Sequence, residues 1–163
     1  MEPRIKYQKY PELMKGMFAL EQSVRASGLE HSLIHLVKMR ASIINGCAFC
    51  IDMHSKDARA LGETEQRVYG LAAWRETPYY TDRERAALEW TDSLTLIATN
   101  HVPDDLYERV RQQFSEEEVV ALTLLVVSIN AWTRIAISMR VVPGSYHVPA
   151  HAAAAQPTAA QHA

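Results

Sequence analysis

Cys47 and Cys50 are the only cysteines in this 163-residue chain, and His54 lies four positions beyond the second. On a helix, positions i, i+3 and i+7 share one face, so the three side chains would converge on one small volume. Two thiols at that spacing sit about 5–6 Å apart at Cα, close enough for a disulfide. A thiol reacts as thiolate, and free cysteine titrates near ~8.5. Asn45-Gly46 breaks the chain just before the pair, which puts the cysteines in the first turn of a helix, where the dipole favours an anion. His54, one turn past Cys50, is placed to accept its proton. Attack on a peroxide would leave a sulfenic acid, and a second thiol one turn away would condense with it to a disulfide. An external thiol or dithiol reductant must then reopen that disulfide by exchange. The pattern points to dithiol redox chemistry with a redox-active Cys47–Cys50 disulfide and no other cofactor.

The elements that must position these residues read as helices almost throughout, with no convincing alternating strand. Tyr10-Pro11 opens the first, because proline suits a first helical position, and Leu13, Met17, Leu20 and Val24 give it an apolar stripe. The second is expected over about Glu30 to Ile44, and the third over Cys47 to Leu61 with Gly62 as its stop. The third carries Cys47, Cys50, Ile51, His54, Ala58 and Leu61 inward, and an Asp52–Lys56 pair on its wet face. A fourth covers about Thr64 to Arg75. Thr81 with Glu84, and Ser115 with Glu118, have the capping-box form and open a fifth helix, to about Ala98, and a seventh, to about Met139. A sixth begins at Pro103-Asp104-Asp105. The expected fold is an all-α, single-domain bundle of about seven helices over 1–146, followed by a flexible low-complexity tail over 147–163.

Hydrophobic residues make up 48% of the chain and the net charge is −2. The chain should therefore fold, and no basic block argues for nucleic acid. The N-terminus has no apolar signal core, and the apolar run Val119 to Val127 is too short for a bilayer. A cytoplasmic location is the expectation, and there a close cysteine pair serves catalysis or metal binding more often than permanent stapling. The Val119–Met139 stretch is apolar on more than one face and carries Arg134, so an oligomer interface is expected there. Met39, Met53, Phe49 and the three tryptophans read as packing residues. His31 and His101 read as surface or loop histidines.

Three stretches carry a resemblance to a known family. They are Leu36-Val37-Lys38-Met39-Arg40-Ala41-Ser42-Ile43-Ile44-Asn45-Gly46-Cys47-Ala48-Phe49-Cys50-Ile51-Asp52-Met53-His54, continuing to Arg59; Thr81-Asp82-Arg83-Glu84-Arg85-Ala86-Ala87-Leu88-Glu89-Trp90; and Asn130-Ala131-Trp132-Thr133-Arg134-Ile135-Ala136. Together they resemble the alkylhydroperoxidase D / carboxymuconolactone decarboxylase family. The resemblance implies an all-helical fold in trimers or hexamers, and thiol peroxidase activity on hydrogen or organic peroxides in members with the cysteine pair. It makes Cys50 the attacking thiol, Cys47 the resolving thiol and His54 the base of a proton relay.

The chain departs from that pattern at one place. The family commonly has an acidic residue twelve positions before the first cysteine, and here that residue is His35. A histidine cannot supply the negative charge that would hold a protonated His54. A cationic His35 would favour a thiolate by charge, a neutral one could pass a proton through water, and it could also be a plain polar residue of the second helix. Two other readings stay open: a zinc site built from Cys47, Cys50, His54 and His35, and a redox sensor or enzyme on another small molecule, decarboxylase-like chemistry included.

Overall fold

The structure is a computed structural model that describes residues 2–149. It is an all-α bundle in which one central helix touches most of the others. The helices are α1 (Pro11–Arg25), α2 (His31–Asn45), α3 (Ala48–Ala60), α4 (Glu65–Gly70), α5 (Asp82–Thr95), α6 (Ile97–Asn100), α7 (Asp104–Gln113) and α8 (Glu116–Met139). Short 3₁₀ turns cover Tyr7–Lys9 and Leu71–Glu76, and no strand occurs among the described residues. Of the tail expected over 147–163, residues 150–163 lie outside the described part.

Helix α2 is the axis of the bundle and packs against α3, α5 and α8. Leu33, Ile34, Leu36, Val37, Met39 and Ala41 are all buried, so it shows apolar side chains on nearly every face, as a central helix must. Leu33, Ile34 and Val37 face a core shared with α5, α7 and α8 through Ala87, Trp90, Val110, Leu122 and Leu125. Leu36 and Met39 face a second core with Leu71, Trp74 and Leu88. Both expected capping boxes form: the Thr81 and Ser115 hydroxyls accept from the Glu84 and Glu118 amides, and those glutamates accept from the Thr81 and Ser115 amides.

Three boundaries and one stripe differ from the sequence reading. The fourth helix is not continuous to Arg75. It changes to a 3₁₀ turn at Leu71 and leaves helical geometry at Ala73 (φ −125°, ψ 38°). Tertiary packing sets this break, since Leu71 and Trp74 are both buried against α2 and α5. Gly70 sits where a Cβ would stand 3.1 Å from the Tyr79 ring, so only glycine fits without a shift there. The fifth helix stops at Thr95, and Leu96 (φ −104°, ψ 32°) separates it from the one-turn α6. The third begins at Ala48, with Cys47 as its N-cap. On α1 the buried residues are Met14 and Val24, while Leu13 is 81% exposed, because α1 packs chiefly on α8 and turns only Val24 and Glu21 toward α2.

Helix α8 is long and apolar enough, by length and composition, to span a bilayer. One side of it is core, with Leu122, Leu125, Val126 and Ile129 buried. Val120, Leu124, Val127 and Ile137 remain exposed. Arg134 is exposed too and donates to the Asn130 carbonyl at 2.8 Å on its own helix, so it needs no buried partner.

Candidate active site

The reactive pair owes its position to how α2 ends. Gly46 adopts the left-handed conformation (φ 66°), its amide bonds the Ile43 carbonyl at 3.1 Å, and the Cys47 amide bonds the Ser42 carbonyl at 3.0 Å. This is the Schellman arrangement, which needs a residue without a Cβ penalty at that position. Asn45 anchors the turn to α8, donating to Asn130 Oδ1 at 3.0 Å and Thr133 Oγ1 at 3.2 Å. Chain direction then reverses straight into α3, with Cys47 at its N-cap.

Cys47 and Cys50 are joined as a disulfide with a Cα separation of 5.3 Å. They are 1% and 2% exposed and pack with Phe49, Ala136 and Val141. Cys47 Sγ accepts the Cys50 amide at 3.3 Å, so one of the free donors of the helix start points at sulfur. That contact favours negative charge on Cys47 when the disulfide is open. His54 stands one turn beyond Cys50 on the same helix and is 5% exposed.

His54 does not stand alone. Its ring centroid is 6.1 Å from that of His35, and its Nδ1 is 3.6 Å from Asp57 Oδ2. That distance is too long for a direct hydrogen bond, so the coupling is electrostatic. Tyr146 donates its phenol proton to the other carboxylate oxygen, Asp57 Oδ1, at 2.6 Å. Tyr146 comes from the segment after α8, which folds back over α3. Its carbonyl accepts from Lys56 at 3.1 Å, and the Gly144 amide bonds Asp52 Oδ2 at 3.0 Å. The expected Asp52–Lys56 pair is present at 2.9 Å and forms part of this strap. Nδ1 of His35 and Nδ1 of His54 are both buried without a hydrogen-bond partner.

Charge around the imidazoles follows from burial. Desolvation pushes the His54 pKa down, and Asp57 only partly opposes it. His35 is pushed down to about 4, first by burial and then by His54. Both rings are therefore neutral near pH 7. Burial pushes the Asp57 carboxyl up, but His54, Tyr146 and His35 together hold it below the usual range. Behind them Lys38, 3% exposed, makes a short ion pair with Glu21, which also accepts from Ser128 Oγ at 3.1 Å and lies 3.3 Å from Arg25. Desolvation lowers the Lys38 pKa, and the pairing holds the Glu21 carboxyl down despite its own burial.

Of the four residues picked from sequence, His35 on α2 and His54 on α3 face each other, while Cys47 and Cys50 sit at the start of α3 and pack with Ala136 of α8. The carboxylate missing at position 35 is present at Asp57, one turn after His54 on α3. The i,i+3 spacing of His54 and Asp57 was its only sequence signal, and Tyr146 had none. The donor atoms that lie within 4.8 Å of one another are those of His35, His54 and Asp57, a set that leaves out both cysteines of the zinc reading. The arrangement offers a disulfide that can open to a dithiol, a neutral imidazole one turn away, and a carboxylate to steady that imidazole once protonated.

Fold and site define a helical dithiol protein of the alkylhydroperoxidase D type. The carboxymuconolactone decarboxylase family profile matches residues 11–93, and the chain belongs to that family. It is 48% identical over 140 residues to the uncharacterized protein YdfG of Bacillus subtilis, covering 85% of this chain and 95% of YdfG. A solved structure from Agrobacterium tumefaciens, a protein of unknown function named for AhpD and antioxidant defence, is 49% identical with a TM-score of 0.86, over 89% of this chain and all of that one. The debrominase Bmp8 shares the fold at 18% identity and a TM-score of 0.72, over 85% of this chain and 74% of that one.

Proposed function

We propose that the protein is a thiol-dependent peroxidase that reduces hydrogen or organic peroxides through Cys50, Cys47 and His54. The observation that carries this reading is the buried Cys47–Cys50 pair at the start of α3 with a neutral imidazole one turn on. In the reduced protein His54 takes the Cys50 proton, and the Cys50 thiolate attacks the peroxide O–O bond. Oxygen is transferred to sulfur, and the alcohol or water leaves with that proton. Asp57, 3.6 Å from Nδ1, stabilises the imidazolium formed in between. Cys47 then attacks the Cys50 sulfenic acid, which releases water and closes the disulfide. An external dithiol reopens it by attack on Cys50 sulfur. Cys47 is then the leaving thiolate, stabilised by the Cys50 amide.

The same reading includes self-assembly. Val120, Leu124 and Val127 follow i, i+4, i+7 spacing on the outer side of α8, and a helix face of this kind fits burial against a second copy. A trimer or hexamer is expected, and a monomer in light scattering at micromolar concentration would sink that part.

A free-thiol count on reduced protein before and after one equivalent of hydrogen peroxide tests the chemistry, with Cys50→Ser in parallel. Rapid loss of both thiols in the wild type, and a slow Cys50→Ser protein, is the expected result. Thiols that persist in both proteins would overturn the reading.

A further inference from the structure

We propose that His35, His54 and Asp57 form a binding site for a divalent ion of the zinc class, and that this site is usable while Cys47 and Cys50 are disulfide-bonded. One donor atom from each of the three side chains lies within 4.8 Å of the others. Zinc–ligand bonds of about 2.0–2.2 Å in a tetrahedron put neighbouring donors roughly 3.3–3.5 Å apart. His54 Nδ1 and Asp57 Oδ2 already stand 3.6 Å apart. The remaining closure is within reach of a small side-chain rotation at His35 and Asp57, which are only half-buried.

The donors are also free to bind. His35 Nδ1 and His54 Nδ1 are buried without partners, an expense that native structures rarely carry without a ligand, a water or a function to satisfy it. His54 itself is 5% exposed. The two oxygens of Asp57 are divided: Tyr146 holds Oδ1 at 2.6 Å, which leaves Oδ2 turned toward His54. A hydrogen bond to the non-ligating oxygen is the usual outer-shell support of a carboxylate ligand. Two imidazoles and one carboxylate suit zinc or a similar transition ion and disfavour magnesium or calcium, which prefer oxygen. Three protein ligands leave a fourth position open. The cysteines are not required, which separates this site from a Cys₂His₂ arrangement.

An ion here would act on the chemistry proposed above, and that consequence rests on His54 being the base. A neutral imidazole that ligates through one nitrogen carries its proton on the other, so no lone pair is left to accept a proton from Cys50. Zinc would hold the peroxidase inactive, and its removal would release it.

Equilibrium dialysis of the full-length, chelator-stripped disulfide protein against zinc chloride, with metal quantified in the protein compartment, is the test. One zinc per chain with a Kd in the micromolar range or below is expected. Binding should weaken at least tenfold in His35→Gln and in Asp57→Asn, with each variant's helical circular dichroism matching the wild type, and should persist in a Cys47→Ser/Cys50→Ser protein. No zinc on the disulfide form, or undiminished binding in both His35→Gln and Asp57→Asn, would overturn the site. Because dialysis needs no turnover, the metal site and the peroxidase reading fail separately.

Discussion

Two buried polar clusters in this molecule use the same kinds of groups to opposite ends. Around Asp92, on α5, both carboxylate oxygens have donors. Arg40 binds it through Nε at 2.6 Å and Nη2 at 3.1 Å, Arg75 through Nη1 at 2.5 Å and Trp74 through its indole N–H at 3.2 Å. Arg40 also donates to the Leu71 carbonyl at 3.0 Å. These bonds tie α2, α5 and the 3₁₀ turn together across the second core. Around His54 the groups are as close, yet two ring nitrogens have no partner and the nearest carboxylate oxygen stands at 3.6 Å. A satisfied cluster fixes a fold, because each group would lose by moving. An unsatisfied one keeps capacity in hand for a proton, a substrate or an ion.

That contrast predicts which property each cluster controls. The largest effect should come from Asp92→Ala, which leaves Arg40 buried without its counter-ion. Chemical denaturation should show a loss of roughly 3–5 kcal/mol, while the rate of peroxide-driven disulfide formation per folded molecule stays within twofold. A substantial rate loss in folded Asp92→Ala protein would break the comparison. His54→Gln should do the reverse, slowing disulfide formation about a hundredfold with the melting temperature within a few degrees of wild type, by stopped-flow thiol assay and calorimetry. A change in stability as large as that of Asp92→Ala would move His54 into the structural class.

A smaller effect sharpens the comparison through pH. The unfolded chain protonates His35 near its ordinary 6.5, while the folded chain resists until about 4. Between those values the unfolded state binds more protons, so stability is full above pH 6.5 and falls as pH drops. The groups facing His35 are His54, Asp57, Lys38 and Arg25. His35 alone should cost the wild type roughly 2 kcal/mol by pH 5. In metal-free protein, denaturant titrations of wild type and His35→Gln at pH 7.5 and pH 5 should therefore diverge. Parallel losses in the two proteins would show that the carboxylates alone account for acid sensitivity.

Local signals in the chain were legible and tertiary ones were not. Spacing alone brought Cys47, Cys50 and His54 together, and Thr81, Ser115 and Asn45-Gly46 marked real helix ends, because caps and turns are settled by neighbours in sequence. The cysteine pair also appeared one residue too deep in its helix. Cys47 is the cap, which a bonded Cys50 amide reveals and periodicity cannot. Asp57 did not stand out in the sequence, because its role depends on Tyr146, 89 positions away, and on the His35 ring from another helix. Leu13 fitted an apolar stripe, but nothing in its own helix says that α1 will pack chiefly on α8 and leave Leu13 outside. The break at Ala73 was hidden for the same reason: Leu71 and Trp74 satisfy cores built by other helices.

The strap from Pro143 to Tyr146 carries a consequence for relatives that keep the cysteine motif. It lies outside the 11–93 stretch that the family profile matches, yet it bonds α3 through the Gly144 amide, the Tyr146 carbonyl and the Tyr146 phenol. Gaining or losing one residue there would slide the phenol off Asp57 while every thiol and imidazole stayed in place. Two homologues with identical reactive residues could then diverge in acid tolerance or metal preference, through a loop that alignments of the motif never score.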